Sequence, residues 1–264
     1  MNKQISSKAL NEKSVELLPA YFILAEANIG MGGTKLKKAE EFLIAANWNL
    51  LKSNQNDDQK GGNEESLVTK EEIDRYTASL NITFGRLFMA QSRKDGPQKA
   101  LEKLTQGIYQ ECQEHGPESV YLCRSYFYLG QLFQQMGQNS NAKAFFTKIV
   151  QIWRNFIIDN DLSMHMMNYQ IQEIPQIYYD EADKHLDMIL NWFRQEFGEY
   201  DNSTAECLFS HSLIQLKRGN ADAALKGMQD AYNEYRNNLG DYDPKTKQVE
   251  DVIQKVEEAL QRQD

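Results

Sequence analysis

Apolar residues recur every three or four positions along most of this chain, a spacing that predicts amphipathic helices and not strands. The periodic stretches place helices at 10–31, 35–52, 67–93, 98–113, 119–136, 140–158, 163–178, 180–197, 203–218, 221–238 and 244–262. Residues 53–66 contain no apolar side chain, and this composition predicts a flexible loop. The stretch 163–197 keeps helical spacing through Ile171, Ile174, Ile177, Tyr178, Leu186, Ile189, Leu190 and Phe193. It reads as an irregular helix pair, with Pro175 expected to kink or break it.

One pair of helices carries a finer pattern. Tyr126, Leu129, Gly130 and Phe133 are followed by Ala142 and Phe146, with 12 residues from Gly130 to Ala142 and four from Ala142 to Phe146. Small residues are needed where two antiparallel helices approach closely, and large ones fill the space beside that contact. The pattern resembles the tetratricopeptide template. The same frame, with longer turns, accommodates Ala25 with Ala39, Leu43 and Ala46. It also takes Gly85 with Ala100, Leu104 and Gly107, and Ser212 with Ala224, Met228 and Ala231. The expected fold is therefore all-α, a tetratricopeptide-repeat superhelix (α-solenoid) of about four to five helix pairs plus a C-terminal helix, forming one domain over 1–264.

A second recurrence supports repeats. Phe197-Gly198-Glu199-Tyr200-Asp201 returns as Leu239-Gly240-Asp241-Tyr242-Asp243, 42 residues later, and His115-Gly116-Pro117-Glu118 is a looser copy. Each stands before a predicted helix, where Ser119, Ser203 and Thr246 are the expected N-caps. A 42-residue repeat resembles those of kinesin light chains.

Composition narrows the function. The formal net charge of −9 argues against a nucleic-acid binder, which usually carries a basic face, and against an anionic membrane as a broad partner. No apolar run is long enough for a membrane span, and Met1 to Lys8 lack the apolar stretch of a secretory signal. A cytoplasmic setting follows as an expectation. Cys112, Cys123 and Cys207 are isolated from one another and read as reduced, buried thiols.

Candidate chemistry is sparse. Gly30-Met31-Gly32-Gly33-Thr34-Lys35 has Thr before Lys and a helix before the loop. It therefore reads as an inter-helix turn and not as a phosphate cradle. Asp180, Glu181, Asp183, His185 and Asp187 form a dense acidic group, but no matching Glu-x-x-His elements complete a di-metal site, so a solvated helix face is expected. Met164-His165-Met166-Met167 reads as soft packing or a partner-facing patch. No nucleophile elbow, zinc spacing or dinucleotide fingerprint occurs. No enzyme, metal, cofactor or small-molecule substrate is expected.

Two stretches resemble one family in particular. They are Leu17-Leu18-Pro19-Ala20-Tyr21 through Ala27, continuing to Ala39-Glu40-Glu41-Phe42-Leu43, Ala46 and Trp48, and Tyr126-Phe127 with Leu129-Gly130 followed by Thr147 to Trp153. They are similar to the repeat region of the ciliary MYND-zinc-finger/tetratricopeptide family. That finger needs paired cysteines, which three scattered ones cannot supply. The resemblance implies a non-catalytic axonemal protein of the cilium. It would pair with another tetratricopeptide protein and act with inner-arm dynein subunits of the d type. A kinesin-light-chain-like cytosolic cargo adaptor is the alternative.

In repeats of this kind the first helix of each pair lines a concave groove. The template places there Phe22, Glu26 and Ile29, then Ile82, Arg86 and Met89. Arg124, Phe127, Gln131, Gln134 and Gln135 follow, and finally Glu206, Phe209, Leu213 and Lys217. Several are apolar, which marks either a partner surface or positions covered by neighbouring helices or the last helix.

Overall fold

The computed structural model describes residues 15–59, 69–91, 93–159 and 174–261. Among them the chain is all-helical, with ten α-helices and no strand. Contacts divide it into two compact units, 1–117 with 135–137, and 118–134 with 138–264.

The first unit holds α1 (Leu18–Met31), α2 (Lys35–Gln59), α3 (Lys70–Ala90) and α4 (Gly96–His115). Leu18, Ala25, Ala39, Leu43, Ala46, Leu50, Ile73, Leu80 and Leu87 form one buried cluster across α1, α2 and α3. The helices α3 and α4 form an antiparallel pair. A Cβ added to Gly85 would lie 2.6 Å from Leu104 Cγ, and one added to Gly107 would lie 2.7 Å from Ile82 Cδ1. Small residues thus mark the close approach on both helices, as the frame required. Thr69 begins α3 with a reciprocal cap. Its hydroxyl accepts from Glu72 N at 3.2 Å, and its own amide donates to Glu72 Oε2 at 2.9 Å.

The second unit holds α5 (Cys123–Gln135) up to Gln134, then α6 (Asn139–Ile157), α7 (Gln176–Phe197), α8 (Asn202–Lys217), α9 (Ala221–Leu239) and α10 (Pro244–Gln261). A 3₁₀ turn at Val120–Leu122 leads into α5. Gly130 lies against the Phe146 ring, where an added Cβ would sit 2.8 Å from Cδ1. Ala142 is fully buried beside it. Ala224, Met228 and Ala231 of α9 are buried in the same way. On α10, Val249, Val252, Ile253 and Val256 supply a single apolar stripe.

Several expectations need correction. The helix expected to stop at 52 runs to Gln59, through a segment that lacks the Gly or Pro needed to break it. The loop placed at 53–66 therefore begins later, and its remainder from residue 60 lies outside the described residues, as do residues 10–14 of the first predicted helix and 163–173 of the irregular pair. The break expected at Pro175 is present, since Ile174 and Pro175 are not helical. Pro175 is the N-cap of α7, which then runs unbroken through the gap expected at residue 179. Proline suits that place because the first turn has no use for its missing amide.

Ser119 caps its turn as expected, accepting from Tyr121 N. Ser203 and Thr246 do not cap. Asp201 accepts from Ser203 N at 2.8 Å, and Asp243 accepts from Lys245 N at 2.8 Å. The threonine three residues after each aspartate is buried instead. The two turns are near copies. Gly198 and Gly240 both have φ 92°, a left-handed region open to glycine. Arg194 pairs with Glu199 at 3.0 Å, and Arg236 pairs with Asp241 at 2.7 Å.

Candidate interaction surfaces

Each unit presents its own surfaces. In the first, α1 is apolar nearly all round, so burying one face leaves Ile23, Leu24 and Met31 exposed. On α2 the exposed apolar residues are Ile44, Trp48 and Leu51. Their spacing of four and three puts them on one stripe. Trp48 is 60 % exposed.

The template's groove positions in this unit turn toward neighbours. Phe22 faces Tyr76 across 6.3 Å, and Glu26 pairs with Arg86 at 3.0 Å, joining α1 to α3. Ile29 packs against the core cluster. Ile82 is buried under α4, and Met89 is half-buried.

In the second unit α7 lies along the predicted groove side of α5, running in the same direction. Tyr121 meets Tyr178 edge-on at 5.1 Å, Arg124 approaches Glu181 at 3.7 Å, and Phe127 stacks on His185 at 4.0 Å. Phe127 is only 3 % exposed. Contacts from α6, α7 and α9 surround α8, so Phe209 and Leu213 are buried, while Lys217 is exposed. Gln135 is exposed at the end of α5.

Most of the acidic group of α7 is not a solvated face. Asp183 receives His211 Nε2 at 2.8 Å and the Gln215 amide from α8, and Arg218 Nη1 at 2.6 Å from the C-cap of α8. Asp180 receives Arg218 Nε at 3.1 Å. Glu181 and His185 are engaged with α5, and Asp187 accepts from Asn191. Asp180, Glu181, Asp183 and His185 thus glue α7 to its neighbours, while Asp187 is exposed as expected. Among the described residues no three His, Cys, Asp or Glu side chains are placed to hold a metal.

A second polar joint was not anticipated. Glu206 of α8 is 7 % exposed at its side chain and bridges Arg154 of α6 at 2.6 Å and Lys245 of α10 at 3.0 Å. The only sequence signal was an acid in an otherwise apolar run of α8.

Burial pushes the thiols of Cys123 and Cys207 well above the usual range, so they stay protonated, while Cys112 is partly exposed. Gly32 and Gly33 form the turn between α1 and α2, away from any strand. Met164 to Met167 lie outside the described residues. No described helix is long and apolar enough to cross a membrane.

Part of the groove side of α5 remains open. A notch of about 240 Å³ lies between the C-terminal halves of α5 and α7. Phe127, Phe146 and Trp192 floor it, Met188 stands at its mouth, and Gln131, Gln134, Asn191 and Gln195 rim it.

These features define a class, an all-helical protein built from helices packed in adjacent pairs. A scan against models of known protein families finds no match.

Proposed function

We propose that this chain is a tetratricopeptide-type scaffold of the ciliary axoneme. In this reading it pairs with another tetratricopeptide protein and helps attach or regulate an inner dynein arm of the d type. The axonemal assignment rests on the resemblance of 14–52 and 115–160 to the ciliary family. The scaffold assignment is carried by the exposed stripe Ile44, Trp48 and Leu51 on α2, together with Ile23, Leu24 and Met31 on α1. Apolar side chains aligned on exposed helix faces suit burial against another protein.

Affinity capture from isolated cilia tests both parts. Recovery of inner-arm dynein subunits and a second repeat protein is the expected result. Loss of that recovery in Trp48→Glu, with the thermal midpoint unchanged, would tie it to the stripe. Recovery with cytosolic vesicle motors alone would favour the cargo-adaptor reading, which the 42-residue recurrence of the turns at 198–204 and 240–246 supports. Recovery of neither would reject the axonemal reading.

A further inference from the structure

The geometry points to the notch between α5 and α7 as a receptor for one aromatic or large aliphatic side chain, presented by an extended, uncharged segment of a partner protein. This rests on the scaffold reading and assigns a contact that the exposed stripes do not supply.

Size comes first. The notch holds about 240 Å³, below the roughly 300–1,000 Å³ of pockets that enclose small-molecule ligands. A single large side chain matches it better. The floor selects the type of side chain. Phe146 and Trp192 meet edge to face at 5.2 Å, and Phe127 stands 5.8 Å from Phe146, so an inserted ring gains further aromatic contacts. Met188 is half-exposed at the mouth and is unbranched, so it adapts to different shapes.

The rim selects the backbone. No charged residue lines the notch. Gln131 and Gln134 stand on α5, and Asn191 and Gln195 stand opposite on α7. Within the described residues Gln131, Gln134 and Gln195 make no side-chain hydrogen bond to the protein, and Asn191 donates only to Asp187. Each primary amide offers both donors and an acceptor, which suits the alternating N–H and C=O groups of a peptide. A helical ligand satisfies those groups itself and would leave the rim unused, whereas an extended one does not. Asn191 and Gln195, four apart on α7, are separated by a rise of about 6 Å, close to the roughly 6.6 Å between alternate residues of an extended chain. Charged side chains would lose hydration in the notch without gaining a partner.

Blocked amino acids are direct probes, since each carries one side chain and two peptide groups. N-acetyl-phenylalanine amide, titrated into the full chain, should shift the Trp192 indole N–H resonance saturably and leave that of Trp153 in place. N-acetyl-lysine amide and N-acetyl-aspartate amide should not. Gln134→Glu with Gln195→Glu changes only exposed positions, so the thermal midpoint should hold while affinity for the aromatic probe falls severalfold. A silent Trp192, an equal response to the charged probes, or undiminished binding in the double variant would overturn the proposal. None of these measurements needs a partner. A silent Trp192 therefore leaves the scaffold reading to its capture experiment, and failed capture leaves the notch standing.

Discussion

The imidazole of His185 stacks on the ring of Phe127, centroids 4.0 Å apart and planes 17° from parallel. This contact turns a template groove position into packing between α5 and α7. Phe127→Ala should therefore behave as a core truncation and cost about 3–4 kcal/mol. Urea unfolding followed by circular dichroism measures it. A cost within about 0.5 kcal/mol, typical of a surface position, would mean that α7 leaves α5 in solution.

Gly130 separates two effects that usually compete. Alanine is favoured over glycine inside a helix by about 0.5–1 kcal/mol. Here its Cβ would press into the Phe146 ring, which the Trp192 and Phe127 rings hold in place. Overpacking of about 1–3 kcal/mol should prevail, so Gly130→Ala lowers stability. A stabilised variant in the same unfolding assay would show that the ring yields freely.

Glu206 ties three helices together from a nearly dry position. Removing one partner of a buried pair leaves the other charge uncompensated, which costs about 3–5 kcal/mol. Glu206→Ala strands Arg154, itself mostly buried, and should fall near the lower end because Lys245 can turn to water. Lys245→Ala should cost much less than Arg154→Ala. The two variants compared by calorimetry test that order.

Glu234 sits where negative charge accumulates. Burial first, then the charges of Glu199 and Asp230, holds its carboxyl above the usual range. Its Oε2 is buried without a hydrogen-bond partner among the described residues. The folded chain thus keeps this proton to higher pH than the unfolded chain, and stability is lost as pH rises through the folded value. Glu234→Gln should raise the thermal midpoint at pH 7, with the gain shrinking as pH falls and wild-type Glu234 becomes protonated. A lowered midpoint at pH 7 would contradict the sign.

The parts legible in the sequence were those set by local sterics. Gly85, Gly107 and Gly130, with Ala100 and Ala142, marked close approaches because only small residues fit there, whatever lies beyond. Helix positions followed from periodicity for the same reason. Caps were legible only to within two or three residues, since Asp201 and Ser203, like Asp243 and Thr246, are all competent and the backbone chooses between them. What stayed hidden was which helix covers which. Periodicity tells that α7 has an apolar face, but not that this face lies on Phe127. Nor does it tell that the acids beside that face are consumed by Arg218, His211 and Arg124. Of the notch, Phe127, Gln131 and Gln134 were legible as groove positions, but its α7 side was not, because the gap lies between helices 57 residues apart, from Gln134 to Asn191.

The uneven burial of the three tryptophans has an optical consequence. Trp48 is 60 % exposed in the first unit, while Trp153 and Trp192, at 2 % and 6 %, belong to the second. Iodide should quench the red-shifted part of the emission alone, and the remaining blue emission comes from one half of the chain. The native protein therefore carries a colour-coded label on each unit, and a melt followed at two wavelengths would reveal whether they come apart together.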